Sequence, residues 1–158
     1  MDTKEYERFV TKYLDCIYRV ALNCCKNSMD AEDIVQNAFM KLYESKEHFE
    51  EDERVKYWLI RVVINESNSL WRSAWKRRIT PLEQMSQEPI FTAPEKSNLY
   101  YAMKELPTKC RQILHLYYYE DYSVKEIAAI MKLSETAVQT RLFRARQKLK
   151  TILKEVDL

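Results

Sequence analysis

The chain has 158 residues, with 26 Lys and Arg against 24 Asp and Glu and a formal charge of +2. It has no glycine and four prolines, which argues against hairpin-rich β architecture, tight phosphate loops and dinucleotide-binding turns, all of which need positive φ. The opening MDTKE lacks leader character, and no apolar run nears the roughly 20 residues that span a bilayer, so a cytoplasmic protein without membrane insertion is expected.

The expected fold is all-α. From Glu5 to Lys26 the apolar residues Tyr6, Phe9, Tyr13, Ile17, Ala21 and Cys24 recur with helical period. Asn27 and Ser28 break the pattern, and Asp30 can cap a second helix with Ile34, Val35, Ala38, Phe39 and Leu42 on its apolar face. The carboxylate pair Glu32 and Asp33 lies near that helix start, where acids favour the macrodipole, so it needs no active site. An acidic loop follows, with six acids between Glu44 and Glu53 against Lys46. A third helix is expected from about Val55 into the seventies, with Val55, Leu59, Val62 and Val63 buried.

The third helix changes character along its length. Between Arg54 and Arg78 seven cations (Arg54, Lys56, Arg61, Arg72, Lys76, Arg77, Arg78) face one acid, Glu66, a net +6. Its second half also holds Asn65, Asn68, Trp71 and Trp75. Cations beside rings and amides suit a single or melted strand, whose bases stack and whose phosphates need counter-charge. The alternative is that the tryptophans are core. For Trp58 the core position is expected; for Trp71 and Trp75, next to Arg72 and Arg77, both readings stand.

Pro81, Pro89 and Pro94 fall in the stretch Thr80–Ser97, which has few periodic apolar positions and reads as a linker. The expected division is an N-terminal domain over 1–79, a linker over 80–97 and a C-terminal domain over 98–158. From Tyr122 the chain reads as a short helix capped by Ser123 with Glu126 completing a capping box, and with Ile127, Ala128 and Met131 on its apolar face. Lys132-Leu133-Ser134 interrupt it. A second helix opens with Ser134 as N-cap and Val138, Leu142, Ala145, Leu149 and Ile152 as its seam. Between Lys132 and Lys154 seven cations face Glu135 alone, again +6. Arg141, Arg144 and Lys148 form a stripe away from the seam, with Arg141 and Arg144 expected on the face opposite Val138, Leu142 and Ala145. This is a helix-turn-helix whose second helix would enter a major groove. A solvated amphipathic helix is the bland alternative.

Neither metal nor cofactor is expected. Cys16, Cys24, Cys25 and Cys110 form no C-x-x-C pair, His48 and His115 are not at ligand spacing, and buried thiols are the expected state of Cys16, Cys24 and Cys110. No Gly-rich loop, nucleophile elbow or HExxH is present, so no catalytic residue is assigned.

Three segments in order resemble the small bacterial sigma factors of the extracytoplasmic-function group, in the sigma-70 family. DAEDIVQNAFMKLY (Asp30–Tyr43) resembles the family's segment that docks on the polymerase clamp. YWLIRVVINESNSLWR (Tyr57–Arg72) is similar to the helix that reads and opens the −10 element. KELPTKCRQILHLYYYEDYSVKEIAAIMKLSETAVQTRLFRARQKLK (Lys104–Lys150) resembles the domain that reads the −35 element. The resemblance implies a sigma factor that binds core RNA polymerase and promoter DNA, directs initiation without catalysis of its own, and is held by an anti-sigma factor. It implies a core-binding face of Asp30, Asp33, Gln36 and Asn37, where Asn37 replaces an acid usual in the family. It implies Asn65, Asn68, Arg72, Trp75, Arg77 and Arg78 at the melted −10 element, and a base-capturing loop over 46–54. It places Glu135, Thr136, Gln139, Thr140, Arg141, Arg144 and Lys148 on the −35 recognition helix, with Gln139 where Lys is frequent. Lys132 stands where glycine is common, and a left-handed lysine there would cost about 1 kcal/mol. A helix-turn-helix repressor or response-regulator output domain would account for the C-terminal block alone, and a helical adaptor for neither basic helix.

Overall fold

A computed structural model describes residues 1–25, 27–77 and 94–156; within these, side chains are not described for 70–77, 94–98, 100, 155 and 156. All regular structure among the described residues is helical: α1 (Thr3–Cys24), α2 (Ser28–Glu44), α3 (Asp52–Arg77), α4 (Pro94–Glu105), α5 (Thr108–Leu114), a π-helical turn (His115–Tyr119), α6 (Val124–Met131) and α7 (Glu135–Val156). The chain divides into two compact units, Met1–Ser86 and Gln87–Leu158. No described helix is long and apolar enough to cross a membrane.

The first unit is a three-helix core. Phe9, Tyr13, Ile17, Val20 and Ala21 of α1 are buried, as are Ile34, Val35, Ala38, Phe39 and Leu42 of α2. α3 packs against both partners and needs a wide apolar face: Val55, Leu59, Ile60, Val63 and Ile64 are buried. Val62, expected in that set, is half-buried. Helix α2 starts three residues earlier than an Asp30 cap would allow. Asn27 is the N-cap: its Oδ1 accepts from Asp30 N at 2.8 Å, and its Nδ2 donates to Asp30 Oδ2 at 2.9 Å. The third residue of the helix thus pairs with its cap twice, through its backbone N–H and through its carboxylate. Helix α3 likewise starts at Asp52, inside the acidic loop, because Arg8 and Lys12 of α1 hold the Asp52 carboxylate at 2.6 and 2.9 Å.

In the second unit, Pro94 opens α4 inside the stretch expected to be linker. Proline suits a first helical position, where its fixed φ fits and its missing N–H would have no partner in the helix. Arg111 of α5 is buried and closes the end of α4, donating to Leu106 O at 2.8 Å and Lys104 O at 3.3 Å. The π turn follows, with Glu120 N donating to His115 O at 3.0 Å and the buried His115 Nε2 3.5 Å from Glu120 Oε1. In α6, Glu126 N donates to Ser123 Oγ and Ser123 N to Glu126 Oε1, the reciprocal box expected. Ile130 takes the core position expected of Met131, which is half-buried. Lys132 is left-handed (φ 57°, ψ 48°) and ends α6. Ser134 Oγ accepts from Ala137 N at 3.1 Å and starts α7. The α7 seam is buried at Val138, Leu142 and Ala145 and half-buried at Leu149 and Ile152.

Candidate nucleic-acid interface

Helix α2 packs its apolar face inward and turns a polar stripe outward. Asp33, Gln36 and Asn37 are exposed. Asp30 is half-buried, and its carboxylate is engaged by Asn27. Two methionines extend the same stripe: Met29 and Met40 are 72% and 57% exposed, four residues before Asp33 and four after Gln36. Neither stands out in the sequence, although the i, i+4, i+7, i+11 spacing from Met29 to Met40 puts them on one face. Polarizable, adaptable side chains flanking a polar centre make a surface suited to a protein partner.

Helix α3 carries a second stripe. Trp58, Val62 and Asn65 are half-buried at i, i+4 and i+7. Trp58, expected in the core, instead places its ring edge-on to Phe49 of the preceding loop, with centroids 6.1 Å apart. The tryptophan thus links the loop to the face that holds Asn65. Asn68 is exposed. Arg72 follows Asn65 by two helical turns, and Trp75 and Arg77 lie further along α3; their side chains are not described, and Arg78 falls outside the described residues. Arg61 lies over the Tyr57 ring at 5.9 Å. Glu66 pairs with Lys41 of α2.

On α7, Glu135, Thr136, Gln139, Thr140, Arg144 and Lys148 are all exposed above the buried seam. Arg141 is half-buried. It sits at the shoulder of the seam rather than opposite it, since the step from Val138 to Arg141 brings the helix to about 60° short of a full circle. Arg146 is turned toward the π turn: it donates to the Tyr118 hydroxyl and lies over the Tyr117 and Tyr118 rings at 5.3 and 5.4 Å. One of the helix's cations is therefore held by tyrosines, a pairing that sequence spacing gives no sign of.

Sigma-70 region 2 matches residues 9–77, and Sigma-70, region 4 matches residues 96–149. The ECF RNA polymerase sigma factor SigM of Bacillus subtilis is 33% identical over 89% of this chain and 90% of its own length. The chain belongs to the extracytoplasmic-function sigma factors of the sigma-70 family. The RNA polymerase sigma-E factor of Streptomyces coelicolor is 31% identical over 98% of this sigma factor and 89% of its own chain. Among solved structures, the sigma factor RpoE, crystallised with the anti-sigma factor NepR from Bartonella quintana, matches in fold with a TM-score of 0.78 at 23% identity, over 96% of this chain and 98% of that one. The region 2 match takes in α3 and most of α1 with α2 between them; the region 4 match ends within α7. As a sigma factor, the chain serves promoter-specific transcription initiation by RNA polymerase.

Proposed function

We propose that this sigma factor docks on core RNA polymerase through the α2 stripe, opens the −10 element with the Asn65 face of α3 and reads the −35 element with α7. Asp33, Gln36 and Asn37, beside Asp30, are the core-binding residues. Asn65, Asn68, Arg72, Trp75, Arg77 and Arg78 serve the melted strand. Thr136, Gln139, Thr140, Arg141, Arg144 and Lys148 meet the upstream duplex, with Glu135 at the start of their helix. Residues 1–79 perform the first two tasks and 98–158 the third, with α4 extending the second domain back to Pro94. Polymerase supplies the catalysis, and the chain works with it in the cytoplasm. An anti-sigma factor holds the chain inactive; the pairing of the structurally similar RpoE with the anti-sigma factor NepR in Bartonella quintana supports this.

The observation that carries the reading is the construction of α7. Its exposed Thr136, Gln139, Thr140 and Arg144 stand on a buried Val138–Leu142–Ala145 seam, after a short capped helix and a left-handed turn at Lys132. That arrangement presents donors and acceptors to base edges while phosphates meet Arg and Lys. The test is transcription by purified core polymerase on a genomic fragment library, with and without the chain, with mapping of RNA 5′ ends. The chain should add discrete start sites preceded by two shared sequence elements. An unchanged set of start sites would overturn the proposal.

A further inference from the structure

Glu66 is an acid beside the α3 face assigned to nucleic acid. It directly follows Asn65 and precedes Ser67, which is fully buried and donates its hydroxyl to Ile64 O at 2.9 Å. Helix geometry places it on the shoulder between the buried seam and the Trp58–Val62–Asn65 stripe. A carboxylate there sits within a Debye length, about 8 Å at physiological salt, of any strand that touches Asn65, and would repel its phosphates.

Lys41 answers that charge from the neighbouring helix. Its Nζ donates to Glu66 Oε1, with the two side chains 55% and 27% exposed. Lys41 also lies in the last turn of α2, where a cation meets the negative end of the helix dipole. The pair contributes little to holding the helices together. Exposed ion pairs are worth about 0–1 kcal/mol, and α2 and α3 already share a buried apolar core.

We propose that Lys41 is a positioning residue for strand opening: it neutralises Glu66 and holds its carboxylate toward α2, so that Asn65 meets the opened strand without a negative charge beside it. The proposal rests on the reading of α3 as the strand-opening helix.

The test uses the full chain assembled with core polymerase, as wild type, Lys41→Gln, Lys41→Arg, Glu66→Gln and the Lys41→Gln/Glu66→Gln double variant. The readouts are permanganate reactivity at the −10 region and affinity for a single-stranded −10 oligonucleotide across a salt series, with thermal melting of the free chain in parallel. Lys41→Gln should lower opening and strand affinity by roughly two- to five-fold at low salt, with the loss shrinking as salt rises. Lys41→Arg should match wild type. Glu66→Gln should match or exceed wild type, and the double variant should return to the Glu66→Gln level. If the pair merely ties the helices together, Glu66→Gln will be as damaging as Lys41→Gln and the double variant no better, which overturns the proposal. A Lys41→Gln loss that persists unchanged in the double variant overturns it too, because Lys41 would then act by its own contact. Failure of the wild-type complex to open any promoter that it binds would instead remove the strand-opening reading of α3, and the proposal with it.

Discussion

Asp52 accepts from Arg8 and Lys12, and the hydrogen bond from Arg8, followed by that from Lys12, lowers its pKa from 3.8 to about 2. The folded value lies below the unfolded one, so the unfolded chain takes up the proton first as acid is added. The stabilisation is therefore complete above 3.8 and is lost as pH falls toward 2. All three side chains are at least about a third exposed, so solvent screens the effect. Asp52→Asn should lower the melting temperature modestly at pH 7. The difference from wild type should be lost as pH falls from 3.8 toward about 2; a constant difference across that range would assign the effect to helix capping instead. Arg111 is the opposite case, a buried cation whose donors satisfy carbonyls at the end of α4 and the Thr108 hydroxyl. Arg111→Met keeps an unbranched apolar stem but strands those acceptors. It should cost about 2 kcal/mol, the penalty of buried groups left without partners, read by chemical denaturation. A loss under ~0.5 kcal/mol would mean that water replaces the guanidinium.

Helices whose apolar residues repeat over several turns were legible from the chain alone. Phe9, Tyr13, Ile17, Ala21 and Cys24 of α1 are buried, as periodicity requires, while Tyr6, the first of the set, is half-buried. Starts were harder to place, because Asn27, Ser28 and Asp30 are all competent caps and only the reciprocal pairing of Asn27 with Asp30 separates them. The width of a buried face was also hidden: α3 has two partner helices, so Ile60 and Ile64 are buried while Val62 is not. The same limit bears on α7, where counting identified the basic stripe but not how each member is seated. Arg144 is exposed and Arg141 half-buried. Arg144→Ala should therefore weaken promoter binding without loss of stability. If Arg144 is bidentate to guanine, the loss should be roughly 1–3 kcal/mol with relaxed preference at one base pair; if it meets phosphate, the salt slope should fall by about one. Unchanged binding of Arg144→Ala, measured by competition on single-base variants and by salt titration, would remove it from the interface.

At the scale of the whole molecule, the two-unit organisation rests on two separate hydrophobic cores. One is built from α1, α2 and α3 and the other from α4 through α7. Proline spacing pointed to the division but not to its C-terminal edge, because a proline that reads as a breaker in mid-chain is also a favoured first residue of a helix. Pro94 takes the second role. This bears on how the domains can be separated. Ala102 of α4 and Leu106 just after it are buried, and α4 packs on α7, so a fragment that starts at 98 removes the first turn of a helix the second core needs. Fragment 87–158 should show a single cooperative thermal transition and bind the upstream element, whereas 98–158 should melt lower and more broadly. Isolated short helices are marginal without tertiary support, so shortening α4 weakens both its own hydrogen bonding and the packing it supplies. Fragment 1–86 should fold separately and retain affinity for core polymerase, and Asp33→Ala with Gln36→Ala should reduce that affinity with helix content unchanged. Circular dichroism melts and titration against core polymerase check each outcome. Equal melting of 87–158 and 98–158 would show that the first turn of α4 contributes nothing to the second core, and a 1–86 fragment with no core affinity would remove α2 as a sufficient docking element.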